Sequence, residues 1–174
     1  MLTVLVVVVL VVIAVLVIAM LRPDRFRVER SATIDAPAER IFPLINDFQQ
    51  WRSWSPYENR DPAMKRSYAG PGSGLGAIYG WEGNKNIGSG RMEISASEPS
   101  SRIAIKLDFF APFKANNTAE FLLQPVDGST RVTWAMEGRA NIMSKLMGLF
   151  INMDKMIGRD FEEGLQKLRA LSKT

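Results

Sequence analysis

The sequence contains no cysteine and no histidine among its 174 residues. Without cysteine the chain has no disulfide bond, no thiolate nucleophile and no zinc or iron–sulfur site built on sulfur. Without histidine it has no Ser-His-Asp triad, no imidazole base and no histidine-ligated metal. Acid–base chemistry would therefore depend on Asp, Glu, Lys, Tyr or a bound cofactor, and we predict neither a metal nor a cofactor.

Charge is missing from the N-terminal segment, because all 22 basic and all 18 acidic residues follow Leu21. Residues 2–21 contain one polar residue, Thr3. A helix of this length spans about 30 Å, the thickness of the hydrocarbon core of a bilayer. We predict a transmembrane anchor over residues 1–21. A cleaved signal peptide is disfavoured because no basic residue precedes the run and Ile18-Ala19-Met20 is a poor cleavage site.

Basic residues follow the apolar run directly, at Arg22, Arg25, Arg27 and Arg30. The positive-inside rule then predicts a single-pass protein of the cell membrane with its C-terminal domain in the cytoplasm. The bilayer is thus the expected partner of residues 2–21. The net charge of +4 is modest, and no Lys/Arg-rich tract or nucleic-acid-binding motif is present, so we predict no nucleic-acid partner.

The remaining chain has the pattern of one α+β domain. Residues 22–25 form a basic juxtamembrane linker, and the domain extends over 26–174. A helix starts at Asp35-Ala36-Pro37, and a long helix covers about 141–171. The predicted strands are 26–34, 63–68, 77–82, 88–97, 101–109, 114–124 and 130–138. We expect a curved antiparallel sheet of about seven strands around the long C-terminal helix, preceded by the transmembrane helix.

Five segments give the chain a family resemblance. They are VERSATIDAP at 28–37, IFPLIND at 41–47, WRSWSPY at 51–57, GLGAIYGW at 74–81 and DFEEGLQKL at 160–168. In this order they resemble the START-like superfamily, also called the helix-grip or SRPBCC superfamily, and within it the polyketide cyclase/dehydrase and lipid-transport-like group. The resemblance implies a helix-grip fold with a cavity between sheet and helix. It implies no single activity, since members bind lipids, polyketides, quinones, hormones or proteins.

Apolar residues recur every three or four positions along the predicted C-terminal helix, from Met143 to Leu168. Methionines in such a stripe suit varied apolar ligands, and aromatic side chains on the strands add large apolar surfaces. Ordinary core packing is the alternative. The predicted ligand-cavity residues are Trp81, Trp134, Met136, Met143, Met147, Phe150, Asp154, Ile157 and Phe161.

Asp154 and Glu82 are the candidate catalytic residues. Asp154 interrupts the apolar stripe, where a carboxylate needs a partner or stays protonated. Glu82 ends the predicted strand 77–82 and shares a face of it with Ile78 and Gly80. For both residues the alternative is a structural ion pair or a solvated position. The predicted cavity-entrance residues are Trp54, Tyr57, Glu58, Gly74 and Phe113.

Together these features predict a membrane-tethered binding domain for a hydrophobic small molecule, such as a lipid, a quinone or a polyketide-like compound. Two alternatives stay open. One is a protein-interaction module similar to the chaperone-activator relatives of this fold, whose partner the sequence does not identify. The other is a cyclase or dehydratase that uses buried carboxylates, although the absence of histidine removes the commonest base. Residues 72–77 match a dinucleotide-binding pattern but precede a strand, so we predict no nucleotide site there.

Overall fold

The computed structural model describes residues 1–140 and 142–173. The helices are α1 Leu2–Met20, α2 Ala38–Asn46, α3 Trp51–Trp54, α4 Ile142–Phe150 and α5 Met153–Leu171, with a 3₁₀ turn at Pro56–Asn59. The strands are β1 Arg25–Ile34, β2 Lys65–Ala69, β3 Ile78–Glu82, β4 Ser89–Glu98, β5 Arg102–Ala111, β6 Ala115–Val126 and β7 Ser129–Arg139. The predicted α+β order of elements is confirmed.

The seven strands form one antiparallel sheet in the order β1-β7-β6-β5-β4-β3-β2. β7 returns to pair with β1 over its whole length, from Arg25 opposite Arg139 to Ile34 opposite Thr130. A register shift in β4 near Ile94 is a bulge, which bends a strand and increases its twist. The sheet is curved as predicted, and its concave face receives α2 and α5.

Helix α5 packs into the concave face because its buried side chains repeat at helical spacing. Phe161 stacks on Trp134 of β7, with ring centroids 4.1 Å apart and planes inclined by 11°. Gly164 allows this close approach, since a Cβ at that position would lie 2.7 Å from the Trp134 ring. This is the helix-grip arrangement that the sequence segments implied.

An arginine of β1 forms ion pairs with two acidic residues of α5. The Arg30 guanidinium donates to both carboxylate oxygens of Asp154, at 3.0 and 3.1 Å, and to Glu162 at 2.9 Å. It crosses the helix at Gly158, where a Cβ would lie 2.0 Å from its terminal nitrogen. The glycine therefore permits two ion pairs that link sheet and helix.

The C-terminal helical region consists of two helices, which corrects the prediction of a single helix over 141–171. Helix α4 ends at Phe150, and α5 begins after Asn152, whose side chain accepts a hydrogen bond from the Lys155 amide at 2.9 Å. Asparagine is a favoured residue at a helix N-cap. The predicted first residue of this helix, Asn141, and the last residue of the predicted domain, Thr174, lie outside the described residues.

Helix α1 is long and apolar enough to cross a membrane, and most of its side chains are exposed. An N-terminal signal sequence meets the same criterion of length and composition. Helix α4 packs against α1. Close to the end of α1, Lys145 of α4 donates to the Asp24 carboxylate, and this ion pair lowers the pKa of Asp24.

Candidate ligand cavity

A cavity of about 230 Å³ lies between the concave face of the sheet and the first half of α5. Strands β3 to β7 form its floor, and α3, the 3₁₀ turn and the β3–β4 loop contribute to its sides. Aliphatic and thioether side chains make up much of the wall, namely Met64, Ile87, Met92, Leu107, Ala119 and Met136. The space is thus a largely apolar pocket, the usual character of small-molecule sites.

Aromatic rings cover another part of the wall. Trp81 stacks near Tyr79 at 6.2 Å and meets Phe109 edge-on at 5.7 Å. The indole N–H of Trp51 donates to the Ile45 carbonyl at 2.9 Å, and that of Trp81 donates to the Ile87 carbonyl. Because both N–H groups are bound to the backbone, these rings offer apolar surface to the cavity.

One buried carboxylate interrupts this apolar wall. Glu58 is 7% exposed and accepts hydrogen bonds from the Tyr79 hydroxyl at 2.6 Å and the Arg66 guanidinium at 2.7 Å. Burial, followed by the hydrogen bond to Glu58, raises the pKa of Tyr79 well above its usual value. The Tyr79 hydroxyl therefore stays protonated. Glu58 and Tyr79 form a polar spot on the cavity wall, and Arg66 binds Glu58 from outside the residues that line the cavity.

A second polar group lies where α5 meets the 3₁₀ turn. Asp160 accepts from the Arg60 guanidinium at 2.5 Å, and Arg60 also lies 5.0 Å from the centre of the Tyr57 ring. Burial raises the pKa of the Tyr57 phenol, and the charge of Asp160 raises it further. Within residues 1–140 and 142–173, no cluster of acidic side chains has the composition of a metal site.

Five of the nine predicted ligand-cavity residues line this cavity: Trp81, Trp134, Met136, Ile157 and Phe161. Two of the five predicted entrance residues, Tyr57 and Glu58, line it as well. Trp134 and Met136 lie two positions apart on β7 and therefore face the same side of the sheet as Trp81 of β3. Ile157 and Phe161 lie four positions apart on α5 and therefore face the cavity together.

The three predicted cavity residues of the preceding helix lie elsewhere, which corrects that part of the prediction. Met143, Met147 and Phe150 belong to α4, and Phe150 is 81% exposed. The break between α4 and α5 ends the stripe, because the helix direction changes there. Asp154 also lies outside the cavity, since it faces Arg30 on the other side of α5, and that contact lowers its pKa.

Four further predicted positions are also placed away from the cavity wall. Trp54 is 1% exposed and donates to the Leu44 carbonyl, so it is a core residue. Gly74 lies in the β2–β3 loop, at the end of the sheet opposite the β3–β4 loop, and Phe113 lies in the β5–β6 loop. Glu82 is exposed at the end of β3, on the other side of the strand from Trp81.

Sequence reasoning missed several cavity residues that share a signal with residues it found. Tyr79 lies two positions before Trp81 in β3, and Asp160 lies three positions after Ile157 in α5. Strand alternation and helical spacing would have identified both. Arg60 and Asn86 come from irregular segments, where no periodic pattern marks which side chains turn inward.

A family model described as "Polyketide cyclase / dehydrase and lipid transport" matches residues 25–173. The chain belongs to this family. Membership of the polyketide cyclase/dehydrase and lipid transport family indicates a hydrophobic-ligand-binding or polyketide cyclase/dehydrase-like domain. No curated protein matches the chain significantly.

Solved structures share the fold at low sequence identity. A Chromobacterium violaceum protein, CV1439, is 16% identical with a TM-score of 0.60, covering 88% of this chain and 99% of its own. The di-domain ARO/CYC protein BexL of the BE-7585A biosynthetic pathway is 13% identical with a TM-score of 0.62, covering 90% of this chain and 53% of its own. Aha1 from Colwellia psychrerythraea is 13% identical with a TM-score of 0.56, covering 84% and 96%.

Proposed function

We propose that this protein is a membrane-tethered binding domain for a hydrophobic small molecule held between the sheet and α5. The observation that carries the proposal is the apolar cavity of about 230 Å³. Filled interiors rarely leave voids larger than a water molecule. A cavity of this size, lined by aromatic and methionine side chains, therefore supports a ligand site.

The size of the cavity narrows the class of ligand. Pockets for drug-sized molecules usually enclose about 300–1,000 Å³, so a cavity of about 230 Å³ is small. It suits one ring system or part of one acyl chain better than a two-chain phospholipid. Trp81 and Phe109 at one side favour a planar ring, because aromatic pairs gain from offset or edge-on contact.

The buried Glu58–Tyr79 pair on the cavity wall supports a ligand with one polar end. A ligand hydroxyl is able to donate to the Glu58 carboxylate, which has lone pairs beyond the two hydrogen bonds it accepts. A purely apolar ligand would leave that capacity unused in a site shielded from water. We therefore expect hydroxylated or phenolic amphiphiles, such as a reduced quinone or a polyketide-like phenol, to bind more tightly than alkanes.

Helix α1 and the arginines that follow it support the tether. Its length matches a bilayer core, and Arg22 and Arg25 directly follow the apolar segment. Under the positive-inside rule the domain lies on the cytoplasmic side. A tether would keep the cavity close to a membrane, where hydrophobic molecules concentrate.

A fluorescence titration of the full-length protein in detergent or nanodiscs tests the binding proposal. Trp51, Trp81 and Trp134 line the cavity, so a brominated phenol or quinone bound there should quench most of the tryptophan emission with saturable behaviour. The Glu58→Gln variant should bind the phenol at least tenfold more weakly and a brominated alkane no differently. Linear, non-saturable quenching by every compound would contradict the proposal.

A cyclase or dehydratase is a second candidate, favoured by one observation. Two carboxylates, Glu58 and Asp160, line the same cavity, and paired carboxylates are able to act as general acid and base. Each carboxylate is bound to an arginine, Asp160 to Arg60 and Glu58 to Arg66. Conversion of a poly-β-keto thioester analogue by the wild type, lost in Asp160→Asn, would support this candidate.

A further inference from the structure

The strand register gathers several loops at one end of the sheet. Arg25 begins β1 opposite Arg139 at the end of β7, and Phe109 near the end of β5 pairs with Ala115 at the start of β6. Ser89 at the start of β4 is opposite Glu82 at the end of β3. The end of α1, the β3–β4 loop, the β5–β6 loop and α4 therefore all lie at this end, which we call the α1-proximal end.

The mouth of the cavity lies at the α1-proximal end. Three of the residues that line the cavity are also exposed: Arg60, Asn86 and Met156. Asn86 belongs to the β3–β4 loop, and Met156 to the first turn of α5. The Asp61 carboxylate accepts from the Asn84 amide at 2.7 Å, which brings the segment carrying Arg60 to the same loop.

Exposed apolar side chains lie at the same end of the sheet as this mouth. Phe110 and Phe113, at the end of β5 and in the β5–β6 loop, are 54% and 49% exposed. Ile142 and Phe150 of α4 are 49% and 81% exposed. Large apolar side chains at a loop tip and on an adjacent short helix are a common feature of surfaces that insert into the interface of a bilayer.

Basic side chains lie among these apolar residues. Arg22 and Arg25 follow α1, Lys85 is in the β3–β4 loop and Lys114 in the β5–β6 loop. In the described part of the chain none of the four forms an ion pair, so their charges are available to anionic headgroups, each worth about 1 kcal/mol near such a surface. Glu82 and Asp24 are exposed acidic residues at this end, and Asp24 is bound to Lys145.

We propose that the α1-proximal end docks on the bilayer surface, so that the ligand enters the cavity directly from the membrane. The inference rests on the proposed function and adds the route of entry. The α1-proximal end is connected directly to α1, because Lys145 of α4 binds Asp24, which closely follows the end of α1. In the docked position Phe113 and Phe150 lie in the headgroup region, and the mouth of the cavity faces the bilayer surface.

The absence of cysteine allows single labels at chosen positions. Full-length Phe113→Cys, Phe150→Cys and Leu75→Cys, each carrying an environment-sensitive fluorophore, are placed in vesicles of phosphatidylcholine and phosphatidylglycerol. Leu75 is the matched control, since it is 64% exposed in the β2–β3 loop at the opposite end. Nitroxide lipids should quench positions 113 and 150 at least threefold more than position 75. Equal quenching at all three positions would overturn the docking.

A kinetic measurement separates the route of entry from binding itself. Uptake of a vesicle-dissolved fluorescent phenol by the full-length Phe113→Asp/Phe150→Asp protein should be at least tenfold slower than by the wild type, with the same amount bound at equilibrium. Equal rates would overturn entry from the membrane while leaving the proposed function intact. No uptake by the wild type or the variant would refute the proposed function, and with it this route of entry. The nitroxide quenching would then test only whether the α1-proximal end docks on the bilayer.

Discussion

Filling the cavity from its floor should abolish ligand binding without unfolding the domain. Ala119 lies on β6 opposite Met136 and is 4% exposed, with its methyl group in the cavity wall. Ala119→Leu adds three carbon atoms. At about 0.8 kcal/mol per buried carbon, their burial would stabilise the fold by at most about 2.4 kcal/mol. Overpacking of a filled core would instead cost about 1–3 kcal/mol.

We therefore expect Ala119→Leu to have a free energy of unfolding equal to or above that of the wild type, measured by urea denaturation. Its affinity for a phenolic ligand should fall at least tenfold, about 1.4 kcal/mol. The matched control is Ala104→Leu. Ala104 pairs with Glu120 in the sheet and lies on the convex side of β5, so the affinity of this variant should stay within twofold of the wild type. A destabilised Ala119→Leu that binds like the wild type would refute the cavity.

Two further substitutions test the polar wall and the helix packing. Tyr79→Phe removes the hydrogen bond to Glu58 and should destabilise the domain by about 1.5–3 kcal/mol. Because folding raises the pKa of Tyr79, the wild type should lose stability as the pH rises above about 10. Denaturant titrations of the variant should lack that part of the loss. Gly164→Ala should destabilise the domain by about 1–3 kcal/mol, because its Cβ would meet the Trp134 ring at 2.7 Å. Gly148→Ala should instead stabilise α4 by up to about 1 kcal/mol, because its nearest neighbour is a flexible guanidinium at 3.4 Å. Thermal unfolding that ranks the two variants in the other order would contradict the packing.

Strand positions were predictable because period-two alternation and turn residues are local signals. Asp127 and Gly128 separate β6 from β7, in the gap between the predicted strands 114–124 and 130–138, and Trp134 and Met136 share the inward-facing side of β7. The parity alone placed these residues on the concave face. The fold class followed from the order of such elements together with the family resemblance.

The helical part of the site was predicted less well, because apolar spacing does not reveal a change of direction. Met143 and Met147 continue the apolar stripe of α5 by spacing alone, yet the cap at Asn152 starts a new helix. The partner of Asp154 was equally hidden, since Arg30 lies more than a hundred positions earlier in the chain. Contacts of this kind depend on tertiary structure and leave no local pattern.

Native mass spectrometry of the full-length protein, released gently from its host membrane, tests the central claim most directly. Wild-type protein should retain one apolar molecule of low mass, and the Ala119→Leu protein prepared in parallel should carry none. The Ala104→Leu protein should retain the same molecule as the wild type. A bare wild-type mass that gains nothing from added phenols, quinones or lipid extract would contradict the ligand cavity.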